Sequence, residues 1–175
     1  MINRKTLFEN QIVPTLQPRG TGCMWHALYA LTGNIEFLDH VKEGSAHFMM
    51  LKVYELGYLL WPLITLPYSI VINDELWLKV YKYCKEAQHK SAGIEEMKLL
   101  ISMRMKDYPI VHHTFAVQGS FKEDSFMLSD PVENNVAHYN WKRIKEKYRK
   151  NAEIYEVMVL DSGDKDDYPK LSSPL

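Results

Sequence analysis

The sequence predicts an α+β domain in which an N-terminal, cysteine-bearing helix packs on a small antiparallel sheet. Three observations predict it. Helix-forming stretches fill the chain up to about residue 105, and β-branched or aromatic runs at 110–118, 126–128 and 153–160 follow them. Helices and strands segregated along a chain in this way signal α+β rather than alternating α/β architecture. The third observation is size: 175 residues that are 46% hydrophobic suffice for one domain to bury about two-thirds of its unfolded surface without disulfides. Nothing repeats and no linker divides the chain, so residues 1–160 read as a single domain. Residues 161–175 are polar and charged and read as a disordered tail.

The elements follow in order. Residues 23–31 form the first helix, entered from the turn Arg19-Gly20-Thr21-Gly22 and closed by Thr32-Gly33-Asn34. Residues 37–56 read as one or two helices with a break at Gly44-Ser45. The most apolar stretch, 57–72, is shorter than a membrane span and is interrupted by Pro62 and Pro67, so it reads as a core segment or the wall of a groove. Residues 75–88 are a helix bearing Cys84. Residues 93–105 read as another, with apolar Ile94, Met97, Leu100 and Ile101 at helical spacing. The strand at 110–118 comes next, then a short one at 126–128 that runs out at Ser129-Asp130-Pro131. A basic helix or turn spans 141–150, before the last strand at 153–160.

Four residues carry candidate chemistry. Cys23 lies where a Gly-rich turn meets a helix, so its sulfur sits at a helix N-terminus, where exposed N–H groups and the dipole favour a thiolate. Gln17, six residues earlier, can turn its amide back over the same turn as a donor to a developing oxyanion. His113 lies on the strand and can serve Cys23 as a base, and Asp130 can orient its imidazole. Each has an ordinary reading alone: a cysteine on an apolar helix is a small buried hydrophobe, a strand histidine is a core residue, and Asp-Pro is a turn. Together, in order and in matching element types, they supply nucleophile, base and orienter.

The chain resembles papain-like cysteine peptidases, and more closely the compact bacterial branch related to the leader-processing peptidases of bacteriocin exporters. Gln17 precedes Cys23 at the family's spacing, Trp25 makes Cys-x-Trp, Gly119 follows His113 by six residues after an apolar run, and the next strand ends in Asp130-Pro131. The resemblance covers residues 14–35 and 97–131. It implies a papain-like fold with Cys23 as nucleophile, His113 as general base and acid, Asp130 as orienter and Gln17 as oxyanion donor. It also implies a peptidase or isopeptidase acting on a protein or peptide substrate. Deamidation or acyl transfer by the same machinery, and an inactive docking module using Trp25, Tyr58 and Trp61, are the alternative readings. The chain departs from the pattern at Met24, where the family often has Gly, and in a Cys-to-His interval of 90 residues, which is short. His112 adjoins His113, and strand alternation lets only one of the two face Cys23; the spacing to Gly119 favours His113.

A net charge of −1 gives no reason to expect nucleic acid or an anionic membrane as partner. Two cysteines fit a reducing compartment, and residues 1–10 lack the apolar core and cleavage site of a secretory signal. Both point to the cytoplasm of the producing cell, delivery into another cell being the other possibility. Seven histidines occur without a Cys pair or a His-x-x-x-His spacing, so neither metal nor cofactor is expected. Oligomeric state is left open.

Overall fold

The computed structural model of the chain describes residues 11–17, 22–65, 74–90, 95–106, 112–150 and 152–162. Among them, six strands form one antiparallel sheet with helices on both of its faces. The strands are β1 (Tyr58–Thr65), β2 (Met97–Met105), β3 (His112–Ser120), β4 (Ser125–Asp130), β5 (Asn135–Tyr139) and β6 (Ala152–Ser162), in the order β1-β6-β2-β3-β4-β5. The helices are α1 (Cys23–Thr32), α2 (Ala46–Glu55), α3 (Asp74–Lys90) and α4 (Trp141–Tyr148), with a 3-10 turn at Ile35–His40.

One face is covered by α1, the 3-10 turn and α2. Leu28, Leu31, Phe37, Met49 and Val53 bury there against Leu60, Leu100, Ala116, Met158 and Leu160. Nearly the whole circumference of α1 is buried, Trp25 through Leu28 and Ala30 through Thr32, and each fully buried leucine contributes about 1.5–3 kcal/mol. The helix begins after Gly22, which holds a left-handed φ of 94° with no side-chain cap, and ends at Gly33 with φ 67°, whose N–H reaches the Tyr29 carbonyl. A Cβ on Gly22 would also lie 3.0 Å from Val41 Cβ, so both the dihedral and the space require glycine.

The other face is covered by α3 and α4. Trp77, Val80 and Cys84 of α3 and Trp141 and Ile144 of α4 bury against Leu99, Ile101, Phe115, Val117, Leu128 and Val157. The indole N–H of Trp141 ties the two helices by donating to the Trp77 carbonyl at 2.9 Å. The sheet is therefore the middle layer, with helices packed on both of its faces.

That arrangement explains the main correction. Residues 93–105 read as a helix, but Met97–Met105 is strand β2, hydrogen-bonded to β3 on one side and β6 on the other. A strand buried on both faces loses the polar–apolar alternation that marks a strand, and Leu99-Leu100-Ile101 then mimics a helix stripe. Ile94 lies outside the described residues. The break at Gly44-Ser45 separates the 3-10 turn from α2, where Ser45 Oγ caps the Phe48 N–H. The apolar stretch from residue 57 enters the core as edge strand β1 with a register shift between Pro62 and Ile64, where a missing N–H is tolerated; residues 66–72 lie outside the described residues. Strand β5 had no counterpart among the sequence expectations, and β6 runs on to Ser162. The disordered tail expected over 161–175 is wrong at its start, since Asp161 and Ser162 pair in β6 and Asp161 is buried; residues 163–175 lie outside the described residues. Among the described residues no helix is long and apolar enough to cross a membrane.

Candidate active site

Strand β3 pairs with β2 from His112 onward, but with β4 only from Ala116, which faces Ser129. The two strands therefore part at that point. His113 lies just before the opening on β3 and Asp130 just past it on β4, and they close across it, His113 Nε2 to Asp130 Oδ1 at 2.9 Å. Glycine makes the approach possible. A Cβ on Gly119 would lie 2.2 Å from the Ser125 carbonyl oxygen and 2.7 Å from Phe126 Cα, so only a residue without one lets β4 close onto β3.

The Asp130 carboxylate is 1% exposed, and three donors serve it. Oδ1 accepts from His113 and from the Val132 N–H at 3.1 Å, and Oδ2 accepts from the Tyr148 hydroxyl at 2.6 Å. Burial pushes its pKa up, but the bond and charge of His113 and the donors Tyr148 and Val132 outweigh that and hold it below the ordinary value.

With Nε2 bound to Asp130, the other ring nitrogen, Nδ1, is the one left for the thiol of Cys23, the first residue of α1. Burial raises the Cys23 pKa; the bond to His113, the Thr114 N–H and the imidazole's charge together lower it by more, to a net value below the ordinary thiol. For His113, burial lowers and the bonds and charges of Asp130 and Cys23 raise, to about 9. Both directions favour a thiolate–imidazolium pair. The other cysteine contrasts: Cys84 is fully buried in α3, and burial alone pushes its thiol up.

Gln17 arrives on the segment 11–17, which bonds to both α1 and the sheet. Val13 N–H donates to the Ala30 carbonyl, Ser129 Oγ donates to the Val13 carbonyl, and Thr15 Oγ1 bonds His26 Nδ1. Gln17 N–H then donates to the Pro131 carbonyl at 2.7 Å, which fixes the residue beside the Asp130 turn. Its side-chain Oε1, an acceptor, is buried without a hydrogen-bond partner among the described residues; a donor to an oxyanion would be the NH2 group of the same amide.

Cys23, His113 and Asp130 thus meet, and the backbone of Gln17 lies beside the Asp130 turn. His112 does not join them: it is exposed, its ring edge-on to Tyr155 at 5.0 Å. Nor do the aromatics offered as a docking groove, since Trp25 and Tyr58 are 2% and 3% exposed and belong to the core, and Trp61 packs against the core on the other face. Tyr148 was missed. The signal existed in the spacing Trp141, Ile144, Tyr148, which places all three on one face of a helix read only as basic. Among the described residues no three His, Cys, Asp or Glu side chains form a metal-binding group. A scan against protein-family models matches none of the chain, and the comparison with curated proteins yields no match.

Proposed function

We propose that the protein is a cysteine peptidase of papain-like fold that cleaves a peptide or isopeptide bond in a protein or peptide substrate. The observation that carries this reading is the orientation of His113: Nε2 is held by a buried carboxylate at 2.9 Å, which turns the opposite nitrogen to a thiol whose pKa lies below the ordinary value. In the proposed reaction the imidazole takes the Cys23 proton and the thiolate attacks the carbonyl carbon. The Gln17 amide and N–H groups at the start of α1 receive the oxyanion. The imidazolium then protonates the departing amine as the C–N bond breaks, and water, deprotonated by the imidazole, hydrolyses the thioester and restores the thiol.

The test is alkylation of Cys23 by iodoacetamide against pH, read by peptide mass spectrometry with Cys84 as internal control, in wild type and His113→Ala. The expected result is a Cys23 limb well below that of a free thiol, at about 8.5, which moves up without His113. A Cys23 as slow as Cys84 and indifferent to His113 overturns the reading. A peptide-library digest then separates cleavage, expected and abolished in Cys23→Ala, from conversion of glutamine to glutamate without chain cleavage.

A further inference from the structure

We infer that Tyr148 is a positioning residue for the candidate triad, holding Asp130 as a charged and fixed acceptor for His113 from the opposite side of the sheet. The inference rests on the proposed function. It assigns a role to a residue of α4, a helix that covers the sheet face away from α1.

Three observations carry it. The Tyr148 hydroxyl donates to Asp130 Oδ2 at 2.6 Å, on the oxygen that His113 does not use. A charge-assisted O–H to carboxylate bond of that length is among the strong ones. The ring is held independently: it stacks on Phe115 of β3 with centroids 4.5 Å apart and planes 15° from parallel. Phe115 is fully buried and lies two residues from His113 on the same face of the strand. The helix is also anchored next to the tyrosine, where Lys147 Nζ donates to Glu133 of the β4–β5 turn. The histidine, the ring that packs the tyrosine and the carboxylate thus share one pair of strands.

The chemistry follows from where the carboxylate sits. At 1% exposure Asp130 is shielded from bulk solvent, so a lone Oδ2 would favour protonation or rotation, and either ends support of the imidazolium. The titratable groups facing this carboxylate are His113 from β3, with Cys23 of α1 beyond it, and Tyr148 from α4. Glu133 and Tyr139 act in turn on the phenol. Burial and the neighbouring Asp130 push the Tyr148 phenol up, so it remains a donor across the working range.

The experiment is the pH profile of Cys23 alkylation in wild type, Tyr148→Phe, Asp130→Asn and the double variant, with thermal unfolding measured alongside. Phenylalanine keeps the stack on Phe115 and removes only the hydroxyl. The expected result is an acid limb moved to higher pH, with alkylation at a fixed pH on that limb falling about tenfold for each pH unit the limb moves, and an unchanged plateau at high pH. In the Asp130→Asn background the same change should do almost nothing, because the tyrosine acts only through the carboxylate. A Tyr148→Phe limb that overlays wild type, whatever its melting temperature, overturns the inference and leaves the peptidase reading standing. A limb that moves equally with and without the Asp130 carboxylate also overturns it. A wild-type limb already at the ordinary thiol position overturns both.

Discussion

Replacing Asp130 with Asn isolates the charge of the candidate site from its shape. The amide is isosteric with the carboxylate: its oxygen can still accept from the Val132 N–H and from the His113 ring, and its NH2 meets the Tyr148 hydroxyl oxygen. What disappears is the negative charge. In the wild type His113 sits at about 9 against an ordinary 6.5, burial pulling it down and Asp130, followed by Cys23, pulling it up. With the first of the raising partners gone and only Cys23 left to oppose burial, the imidazole moves down toward the ordinary value. At about pH 7.5, a histidine titrating near 9 is almost wholly charged and one titrating near 6.5 only about a tenth so.

The thiolate of Cys23 leans on that charge. Its population at pH 7.5 should therefore fall in Asp130→Asn, by at most about tenfold, and the alkylation rate with it, while the plateau above the thiol pKa stays as in wild type. Peptide hydrolysis should drop by at least as much, since the imidazolium also protonates the leaving amine. An Asp130→Asn protein that folds as wild type and alkylates at the wild-type rate at pH 7.5 refutes the argument that this carboxylate supports the pair.

Proton linkage gives a second prediction. Wherever His113 is charged and Cys23 ionised in the folded protein, unfolding exchanges an imidazolium and a thiolate for a neutral imidazole and a thiol, so the two slopes offset and wild-type stability should vary less with pH than either group alone would make it. In Cys23→Ala only the raised histidine remains; its stabilisation is complete below pH 6.5 and lost as pH rises through the folded value, so urea unfolding free energy should fall with pH, by at most about 1.4 kcal/mol per pH unit. At the acid end, the lowered Asp130 contributes fully above its ordinary value of 3.8 and its share is lost as pH falls through its folded value. Gly119→Ala should cost more than the ~1–3 kcal/mol of ordinary overpacking, because the new Cβ meets backbone atoms of β4 at 2.2 and 2.7 Å, and its surviving folded fraction should lose the low-pH thiol reactivity as Asp130 moves from His113. Gln17→Ala should leave Cys23 alkylation unchanged but reduce kcat by about 10²–10³, a split that a structural role would not give.

The site was more legible in the sequence than the frame around it, and the reason is physical. Cys23, Gln17 and the Asp130-Pro131 turn belong to local arrangements whose chemistry is set by neighbours a few residues away: a glycine with positive φ before a helix, a strand that ends in a turn. Strand β2 has no such local signature, because its eight consecutive buried positions owe their apolarity to two helical layers that come from elsewhere in the chain. Strand β5 failed for the opposite reason. Asn135–Tyr139 is half-buried on the edge of the sheet, and it is a strand only because β4 lies beside it.

The same contrast explains why Tyr148 escaped notice while His113 did not. A motif spaced along one strand is visible as a pattern, whereas Tyr148 reaches Asp130 across 18 positions of sequence through a hairpin, a helix and a ring stack. The β3–β4 opening is what brings both contributions together. At that point β3 loses a neighbouring strand; α1 approaches from one face with a thiol and α4 from the other with a phenol, each toward one member of the His113–Asp130 pair. A sheet covered on one side only would offer the carboxylate water in place of the tyrosine, and its charge would be screened. The middle-layer sheet that misled the helix assignment at 93–105 is therefore the same feature that keeps Asp130 dry enough for its charge to act on His113.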